Sequence, residues 1–430
     1  MVVDKARLAA VKTVYEVNAN GAYSNVALAQ ILRQEKLNDL DRRFCTELVY
    51  GTIKAGASLD WKLSKYLTRP LDKVEEKILA VLRVALYQIF FLDRVPNSAA
   101  VNESVELTKK FVNIGASKFV NGVLRSAVRQ PEKSDFPEGD DVESIALKMF
   151  HPTWLVKLFV DEFGIDAAKK ICAVNNTEPP LCLRVNNLKS SREKIVAELE
   201  KISAQVELSK IAPEGIICKS HGALDKFKPL KIGLCQVQDE SSMTVAPLLN
   251  PKAGDFVIDC CAAPGGKTTH IAELMKNRGK IIAADIYDVK LDHIRQNAKR
   301  LGINIIEPIL LDARNIGEKY FNRADKVLVD APCSGLGVIR RKADIRWKKN
   351  PAELDELPKL QLEILNSAAK AVKRGGTLLY STCTIVKREN ENVVESFLAD
   401  NTNFKLVETK KFLPHIDNTD GLFECVMHKA

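Results

Sequence analysis

The chain has 430 residues, of which 46% are hydrophobic and 28% charged, and its formal net charge is +9. This length exceeds what one hydrophobic core usually spans, so we expect two or three domains. No apolar run approaches the roughly 18 to 20 residues of a membrane helix, and the first residues lack the apolar stretch of a signal peptide. These features exclude a membrane protein and make the cytosol the expected compartment.

The ten cysteines do not have the spacing of a metal site or a disulfide framework. No Cys-x-x-Cys pair occurs, and Cys260 and Cys261 are adjacent rather than at ligand spacing. We therefore expect free thiols in a reducing compartment and no bound metal.

The first third of the chain has the pattern of a helical bundle. Between residues 4 and 130, apolar residues recur at helical spacing, as in Leu8, Val11 and Val14. Turn signals separate these runs, so we predict five to seven helices. Residues 1–130 also contain 20 Lys and Arg against 13 Asp and Glu. This surplus indicates a nucleic-acid partner, and a basic surface that contacts only solvent is the alternative.

A polar stretch with two prolines at residues 130–141 is the expected linker. Strand-like segments beyond it surround one helical segment, at residues 181–185, 190–202, 206–209 and 215–218. The sequence therefore predicts an all-α N-terminal domain over residues 1–135 and a small α/β connecting module over residues 143–240.

Strands and helices alternate over residues 241–430, the predicted third domain. Five short apolar runs are of the buried-strand type, at residues 256–259, 280–285, 306–312, 326–330 and 377–380. We predict a doubly wound, Rossmann-like and mostly parallel sheet, whose ligands bind at the carboxyl ends of the strands. Four of the runs end in aspartates that should gather at that edge: Asp259, Asp285, Asp312 and Asp330.

A glycine turn, Asp259-Cys-Cys-Ala-Ala-Pro-Gly-Gly-Lys-Thr268, joins the first of these strands to a helix. It is not a Walker A loop, which would need glycine in place of Cys261, and it lacks the Gly-x-Gly-x-x-Gly fingerprint of a dinucleotide site. Asp285 stands where an acid accepts hydrogen bonds from a ribose diol, and Asp312 is placed to meet an adenine amino group. The set predicts a nucleoside cofactor without phosphates, which S-adenosylmethionine fits; the alternative is that these acids only cap helices.

Two cysteines end neighbouring predicted strands, Cys333 in Asp-Ala-Pro-Cys-Ser-Gly and Cys383 in Ser-Thr-Cys-Thr. Each alone could be a small core residue. Methyl transfer to C5 of a pyrimidine is a reaction that would use both cysteines, because a thiolate must add to C6 and a base must later remove the C5 proton. Chemistry alone does not choose which cysteine is the nucleophile. Asp330 can hydrogen-bond the N3 and amino edge of cytosine, and Lys267 can add positive charge beside it.

Taken together, these motifs resemble the RNA 5-methylcytosine methyltransferases of the Nop2/Sun class. Within that class the chain is similar to the bacterial Fmu/Sun type, which acts on 16S ribosomal RNA. The resemblance rests on the glycine turn, the ordered aspartates, the two cysteine motifs and residues 337–347. The first 130 residues resemble the antitermination factor NusB, which implies an RNA-binding helical domain.

The resemblance implies that Cys383 attacks C6 and that Cys333 assists release. It implies S-adenosylmethionine as the cofactor, contacted by Cys261, Ala262, Ala263, Pro264, Gly265, Gly266, Lys267, Asp285, Asp312 and Asp330. One departure from the family pattern is the segment 420–428, which concerns only the last strand.

A basic segment follows the Cys333 motif and is predicted to contact RNA. Its cations suit phosphates, and its tryptophan offers a stacking face to an unpaired base, which must leave its own stack to reach a cysteine. The predicted RNA-binding residues are Arg340, Arg341, Arg346, Trp347 and Lys348. A solvated loop is the alternative.

The predicted function is methylation of C5 of a cytosine in 16S ribosomal RNA or a partly assembled small subunit. No membrane, DNA or protein partner is indicated. Methylation of an exocyclic amine or a glutamine is disfavoured, because those enzymes use an Asn/Asp-Pro-Pro-aromatic turn where this chain has Asp330-Ala-Pro-Cys333. Two alternatives remain: transfer RNA or another ribosomal RNA site as the substrate, and a non-catalytic RNA-binding assembly factor.

Overall fold

The structure is a computed structural model that describes residues 3–220 and 227–430. It divides into two compact units. The first contains the residues up to Thr177 together with Ile339–Lys349, and the second contains Glu178–Val338 and Asn350–Ala430. Residues 1 and 2 of the expected helical domain and residues 221–226 of the expected connecting module lie outside the described residues.

The first unit is built from helices. In chain order they are α1 (Lys5–Ala19), α2 (Ser24–Gln34), α3 (Asp39–Ser64), α4 (Glu76–Phe91), α5 (Asn97–Phe111), α6 (Ile114–Arg129), α7 (Val142–Lys148), α8 (Thr153–Phe163) and α9 (Ile165–Asn176). Six of these lie within the described part of residues 4–130, as the apolar spacing predicts. Side-chain caps begin several of them, and Asp4 accepts a hydrogen bond from the N–H of Arg7 at 2.7 Å.

The core of this bundle forms around α4. Buried residues of α4 run from Leu79 to Leu86 almost all the way round the helix, because α1, α3, α5 and α6 pack against it. Leu48, Leu59 and Leu107 complete the same buried cluster. The apolar spacing that predicts helices therefore also identifies the core.

The expected linker is held against the bundle. Pro131–Ser134 forms a short 3-10 helix, and Lys62 Nζ donates to the carbonyl oxygen of Ser134 at 2.6 Å. Helices α7 to α9, whose residues from 143 onward the sequence places in the connecting module, belong to the first unit, and α7 packs against α3. The start of the expected module at residue 143 therefore differs from the boundary between the two units, which falls after Thr177.

The second unit begins with a small antiparallel sheet. Its strands are β1 (Leu181–Val185), β2 (Gln205–Leu208), β3 (Gly215–Ser220) and β4 (Cys235–Val237), with α10 (Arg192–Glu200) before β2 and α11 (Lys228–Lys231) before β4. The order is β2-β3-β1-β4 in the described residues. Leu183, Ile195 and Ile216 form its core, so the predicted α/β module is a compact layer of its own.

A larger sheet follows. Its strands are β5 (Phe256–Asp259), β6 (Lys280–Asp285), β7 (Ile306–Leu310), β8 (Ala324–Asp330), β9 (Val372–Thr382), β10 (Phe404–Phe412) and β11 (Leu422–Lys429). Over the described residues the order is β10-β11-β9-β8-β5-β6-β7. The five strands β5, β6, β7, β8 and β9 are mutually parallel. β11 pairs antiparallel with β9 and β10, so the unusual C-terminal segment is a fully paired strand.

Helices cover both faces of the large sheet. They are α12 (Glu240–Leu249), α13 (Gly266–Leu274), α14 (Asp288–Leu301), α15 (Ile316–Lys319), α17 (Pro351–Ala371), α18 (Glu391–Asp400) and α19 (Pro414–Asp417), while α16 (Ile345–Lys348) belongs to the first unit. Successive strand residues such as Val327 and Leu328 enter opposite buried clusters. The predicted doubly wound fold is therefore confirmed. In the described ranges, no helix is both long and apolar enough to cross a membrane.

Candidate active site

The glycine turn lies where the chain order of the large sheet reverses, between β5 and β8. Its Gly265 adopts a φ of +97°, and a Cβ atom there would lie 3.3 Å from the Cα of Ile294. Glycine is therefore required at this position, both for the left-handed backbone and for the close approach of α14. The Thr268 hydroxyl donates to the buried Asp259 at 2.7 Å and ties α13 to the end of β5. Ligands of doubly wound sheets bind at such a reversal.

The next two aspartates lie at the same edge of the sheet. Asp285 at the end of β6 accepts hydrogen bonds from the N–H groups of Ala263 (3.3 Å) and Tyr287 (3.0 Å). Asp312 follows β7, and the Arg314 guanidinium donates to Asp312 Oδ1 at 3.2 Å and to Oδ2 at 2.7 Å. The hydrogen bonds from Arg314 lower the pKa of Asp312. The structure thus brings the turn and both acids together, as predicted.

Lys267 and Asp330 form an ion pair beside the turn. Lys267 Nζ donates to Asp330 Oδ1 at 2.6 Å, and the Ser381 hydroxyl donates to the same oxygen at 2.9 Å. Burial acts to lower the pKa of Lys267, but the charge and hydrogen bond of Asp330 outweigh it and raise that pKa. In the described part of the chain no donor contacts Asp330 Oδ2. One carboxylate oxygen is therefore open to a ligand.

The two cysteines meet at the ends of β8 and β9. Cys333 Sγ and Cys383 Sγ are 3.2 Å apart, and both side chains are partly exposed. The hydrogen bond with Cys383 and burial raise the pKa of Cys333 well above its usual value. Cys261, in the glycine turn, has its pKa raised by burial as well. The arrangement is two adjacent thiols with the Lys267 ammonium on one side, since the charge of Cys383 contributes to the raised pKa of Lys267.

A buried arginine from the small sheet holds the first turn of α13. Arg184 of β1 donates to the carbonyl oxygen of Gly266 at 2.7 Å, to Thr269 Oγ1 at 3.1 Å and to Glu273 Oε1 at 2.9 Å. Burial raises the pKa of Glu273, and the charge of Arg184 opposes that rise. Sequence reasoning missed Arg184, because one arginine inside a strand-like run carries no signal of its partners.

The predicted RNA contact at Arg346 is wrong. Arg346 is fully buried in the first unit and donates to the carbonyl oxygens of Phe150 (2.7 Å) and Asn175 (3.0 Å) and to Asn176 Oδ1 (2.8 Å). Burial lowers the pKa of Arg346 to about 9. A guanidinium enclosed by carbonyl groups has no donor facing solvent for a phosphate.

The neighbours of Arg346 are also structural. Trp347 Nε1 donates to the Ile53 carbonyl at 2.7 Å, and the indole lies 2.8 Å from where a Cβ atom of Gly56 would be. Lys348 Nζ donates to the carbonyl oxygens of Gly21 and Ala22. These contacts hold Trp347 and Lys348 against the bundle while both side chains remain partly exposed, and their role as RNA contacts stays a prediction. Arg340 and Arg341 are partly buried, and their role as RNA contacts stays a prediction.

Comparisons with known proteins agree with the fold and site. The model of the 16S rRNA methyltransferase RsmB/F family matches residues 246–427, the NusB family model matches residues 4–129, and the RsmF/B-like ferredoxin-like domain matches residues 151–225. The chain is 39% identical to the probable ribosomal RNA small subunit methyltransferase B of Bacillus subtilis, over 98% of this chain and 98% of that protein.

Two solved structures are similar over long stretches. The crystal structure of PH0851 has a TM-score of 0.87 and 28% identity, covering 100% of this chain and 99% of that one. NSun6 from Pyrococcus horikoshii, crystallised with SFG, has a TM-score of 0.60 and 27% identity, covering 65% of this chain and 98% of that one.

The doubly wound sheet, its glycine turn and the paired cysteines define a Rossmann-like methyltransferase preceded by a NusB-like helical domain. The chain is therefore an enzyme of the methyl-transferring class. It belongs to the 16S rRNA methyltransferase RsmB/F family.

Proposed function

We propose that this enzyme methylates C5 of a cytosine in 16S ribosomal RNA, with S-adenosylmethionine as the methyl donor and Cys383 as a covalent nucleophile. The observation that carries the proposal is the 3.2 Å separation of the Cys333 and Cys383 sulfurs beside the Lys267–Asp330 pair. Two thiols and a carboxylate with an open oxygen at one edge suit addition to a pyrimidine ring.

The glycine turn and the two following acids would hold S-adenosylmethionine. At Gly265 the backbone lies so close to α14 that a Cβ atom would be 3.3 Å from the Cα of Ile294, and Asp285 is already oriented by two backbone N–H groups. Asp285 would accept from the ribose hydroxyls and Asp312 from the adenine amino group. When bound, the cofactor supplies an electrophilic methyl group. NSun6, crystallised with SFG, an S-adenosylmethionine analogue, supports this assignment.

The surroundings of the two thiols favour Cys383 as the nucleophile. The hydrogen bond with Cys383 and burial raise the pKa of Cys333, which favours its thiol form. Lys267 is a cation close enough to Cys383 for the two charges to interact, and a positive charge favours the thiolate. The Cys383 thiolate adds to C6 and pushes electron density to C5, which takes the methyl group, while Asp330 Oδ2 accepts a hydrogen bond from the exocyclic amino group of the cytosine. A water molecule then takes the C5 proton, the electrons of the C5–H bond re-form the C5=C6 double bond, and the C6–S bond breaks to return the Cys383 thiolate; Cys333 is placed to assist that release.

The helical unit would hold the RNA. Its basic surplus and its match to the NusB family support this role, and Arg340 and Arg341 stay proposed contacts. The relative in Bacillus subtilis is described as a small-subunit ribosomal RNA methyltransferase, which supports 16S RNA as the substrate.

The test is transfer of labelled methyl from S-adenosylmethionine to unmodified 16S RNA and to transfer RNA in parallel, followed by nucleoside analysis. Label in 5-methylcytosine from 16S RNA supports the proposal. Label only in transfer RNA would keep the chemistry and overturn the substrate, and label in another nucleoside would overturn the mechanism. Absence of label from both RNAs would favour a binding factor.

A further inference from the structure

A buried carboxylate lies behind the two cysteines and has no part in the mechanism above. Glu389 ends the 3-10 helix Lys387–Glu389, which follows the Cys383 turn, and its side chain is fully buried. Its Oε2 accepts from the N–H of Ser334 at 2.8 Å, and its Oε1 accepts from the Ser334 hydroxyl. The residue after Cys333 is thus held twice by one carboxylate.

Gln361 of α17 links the Glu389 carboxylate to Pro332, the residue before Cys333. Its Nε2 donates to Glu389 Oε2 and to the carbonyl oxygen of Pro332, both at 3.0 Å. Three donors therefore converge on Glu389, and an ionised carboxylate, which accepts and does not donate, matches all of them. Within residues 3–220 and 227–430, no Lys or Arg pairs with it.

The next residue, Asn390, forms hydrogen bonds with the residues on either side of Cys383. Asn390 is fully buried, accepts from the Thr382 hydroxyl at 2.5 Å and donates from Nδ2 to the Thr384 carbonyl at 3.1 Å. Both cysteine turns are therefore fixed by consecutive buried residues. Only Glu389 brings a negative charge.

That charge acts on Cys333. The hydrogen bond with Cys383, burial and the charges of Cys383 and Glu389 all raise the pKa of Cys333. Tyr380 also lies within electrostatic range of Cys333, and burial raises the pKa of that phenol, so it adds no charge. The cation Lys267 interacts electrostatically with Cys383. Glu389 thus brings a negative charge to Cys333, and Lys267 brings a positive charge to Cys383.

We infer that Glu389 is the positioning residue of the cysteine pair: its carboxylate locks the Pro332–Ser334 turn and keeps Cys333 in the thiol form, so that Cys383 is the reactive sulfur. The inference rests on the proposed two-cysteine mechanism. It adds Glu389 to the groups that favour Cys383 over Cys333 as the nucleophile.

The test compares the alkylation rates of Cys333 and Cys383 by iodoacetamide in the full-length protein, measured by peptide mass spectrometry at one pH near neutrality. In the wild type, Cys383 should react faster. Glu389→Gln removes the charge with little change of shape, and we expect the preference for Cys383 to fall by about tenfold, the change in thiolate fraction for one pKa unit. Glu389→Asp keeps the charge and should restore much of the preference.

Glu391→Gln is the matched control. Glu391 lies two residues further along, pairs with Lys411 at 2.9 Å and does not contact either cysteine turn. It should leave the alkylation ratio and the methyl transfer unchanged. An unchanged ratio in a folded Glu389→Gln protein would overturn the inference, as would an equal loss in Glu389→Gln and Glu389→Asp.

The alkylation readout needs no RNA, so it separates this inference from the proposed function. If Glu389→Gln does not fold, the alkylation rates of the wild-type protein provide the test. Equal rates for the two cysteines, or a faster rate for Cys333, would contradict the role of Glu389. If the preference is found but no 5-methylcytosine forms on any RNA, the proposed function fails while the role of Glu389 stands.

Discussion

The guanidinium of Arg184 donates a 2.7 Å hydrogen bond to the carbonyl oxygen of Gly266. Gly266 is the first residue of α13, so a strand of the small antiparallel sheet holds the backbone that the cofactor is proposed to contact. The same guanidinium pairs with Glu273, about two turns further along α13. Arg184 of the small sheet therefore fixes the position of the glycine turn.

Arg184→Met should lower the free energy of unfolding by about 3–5 kcal/mol, because the buried Glu273 is left without its partner. Urea denaturation followed by circular dichroism measures the change. The double variant Arg184→Met/Glu273→Met should recover much of the loss, since an apolar pair of similar volume replaces the buried ions. Lys194→Met on the exposed face of α10 is the control. A double variant as unstable as the single one would contradict the ion pair as the cause.

Cys383→Ala should abolish methyl transfer, while Cys333→Ala should leave the protein trapped on its RNA as a covalent adduct. The physical reason is that the first removes the nucleophile and the second removes the thiol 3.2 Å away that assists release. Denaturing gel electrophoresis with labelled RNA detects the adduct. Cys218→Ala, a buried thiol of the small sheet, is the control and should turn over normally. Normal turnover by Cys383→Ala would rule out the mechanism.

Glu424 should make stability depend on pH. It is fully buried in β11, Thr244 donates to its Oε1 at 2.5 Å, and its Oε2 has no partner in the described ranges. Burial raises the pKa of Glu424 from 4.5 to about 7. The folded protein therefore holds this proton more tightly than the unfolded chain does. Its contribution to stability is full below the unfolded pKa and is lost as the pH rises through about 7.

Glu424→Gln should remove this dependence, because an amide stays neutral. We expect the variant to match the wild type at pH 4.5 and to exceed it by roughly 1–3 kcal/mol at pH 8. Urea denaturation at both pH values measures the difference. Glu395→Gln, on the exposed face of α18, should change neither. A constant offset between Glu424→Gln and wild type at both values would show that the carboxyl does not titrate in this range.

Arg346→Met should destabilise the helical unit by about 2–4 kcal/mol, since three buried carbonyl or amide oxygens lose their donor. The slope of the logarithm of the RNA-binding constant against the logarithm of the salt concentration should stay unchanged. Loss of a phosphate contact would instead reduce the magnitude of that slope by about one. Thermal unfolding and binding measured over a range of salt concentrations give the two answers. Lys342→Met, an exposed neighbour, is the control for stability. A reduced slope with unchanged stability would restore Arg346 as an RNA contact.

The sequence by itself determined the parts that depend on local pattern. Apolar period and turn residues predicted the helical bundle, the parallel strands and the aspartates at their ends, because strand and helix periods are properties of neighbouring residues. The glycine turn and the two cysteine motifs were recognisable for the same reason. Asp285, Lys267, Asp330, Cys333 and Cys383 all lie at the predicted edge of the sheet.

Only the tertiary structure decided what surrounds those groups. Glu389 stands in the polar run Arg388-Glu-Asn-Glu-Asn392, which is typical of a solvated loop, and its burial depends on Ser334 and Gln361, which are distant in sequence. Arg346 likewise stands in a run of cations that suits RNA, yet carbonyl oxygens from α9 and from the turn before α8 enclose it. A charged side chain has the same sequence signature whether water or a buried acceptor satisfies it. Its role therefore depends on which acceptors the fold brings to it.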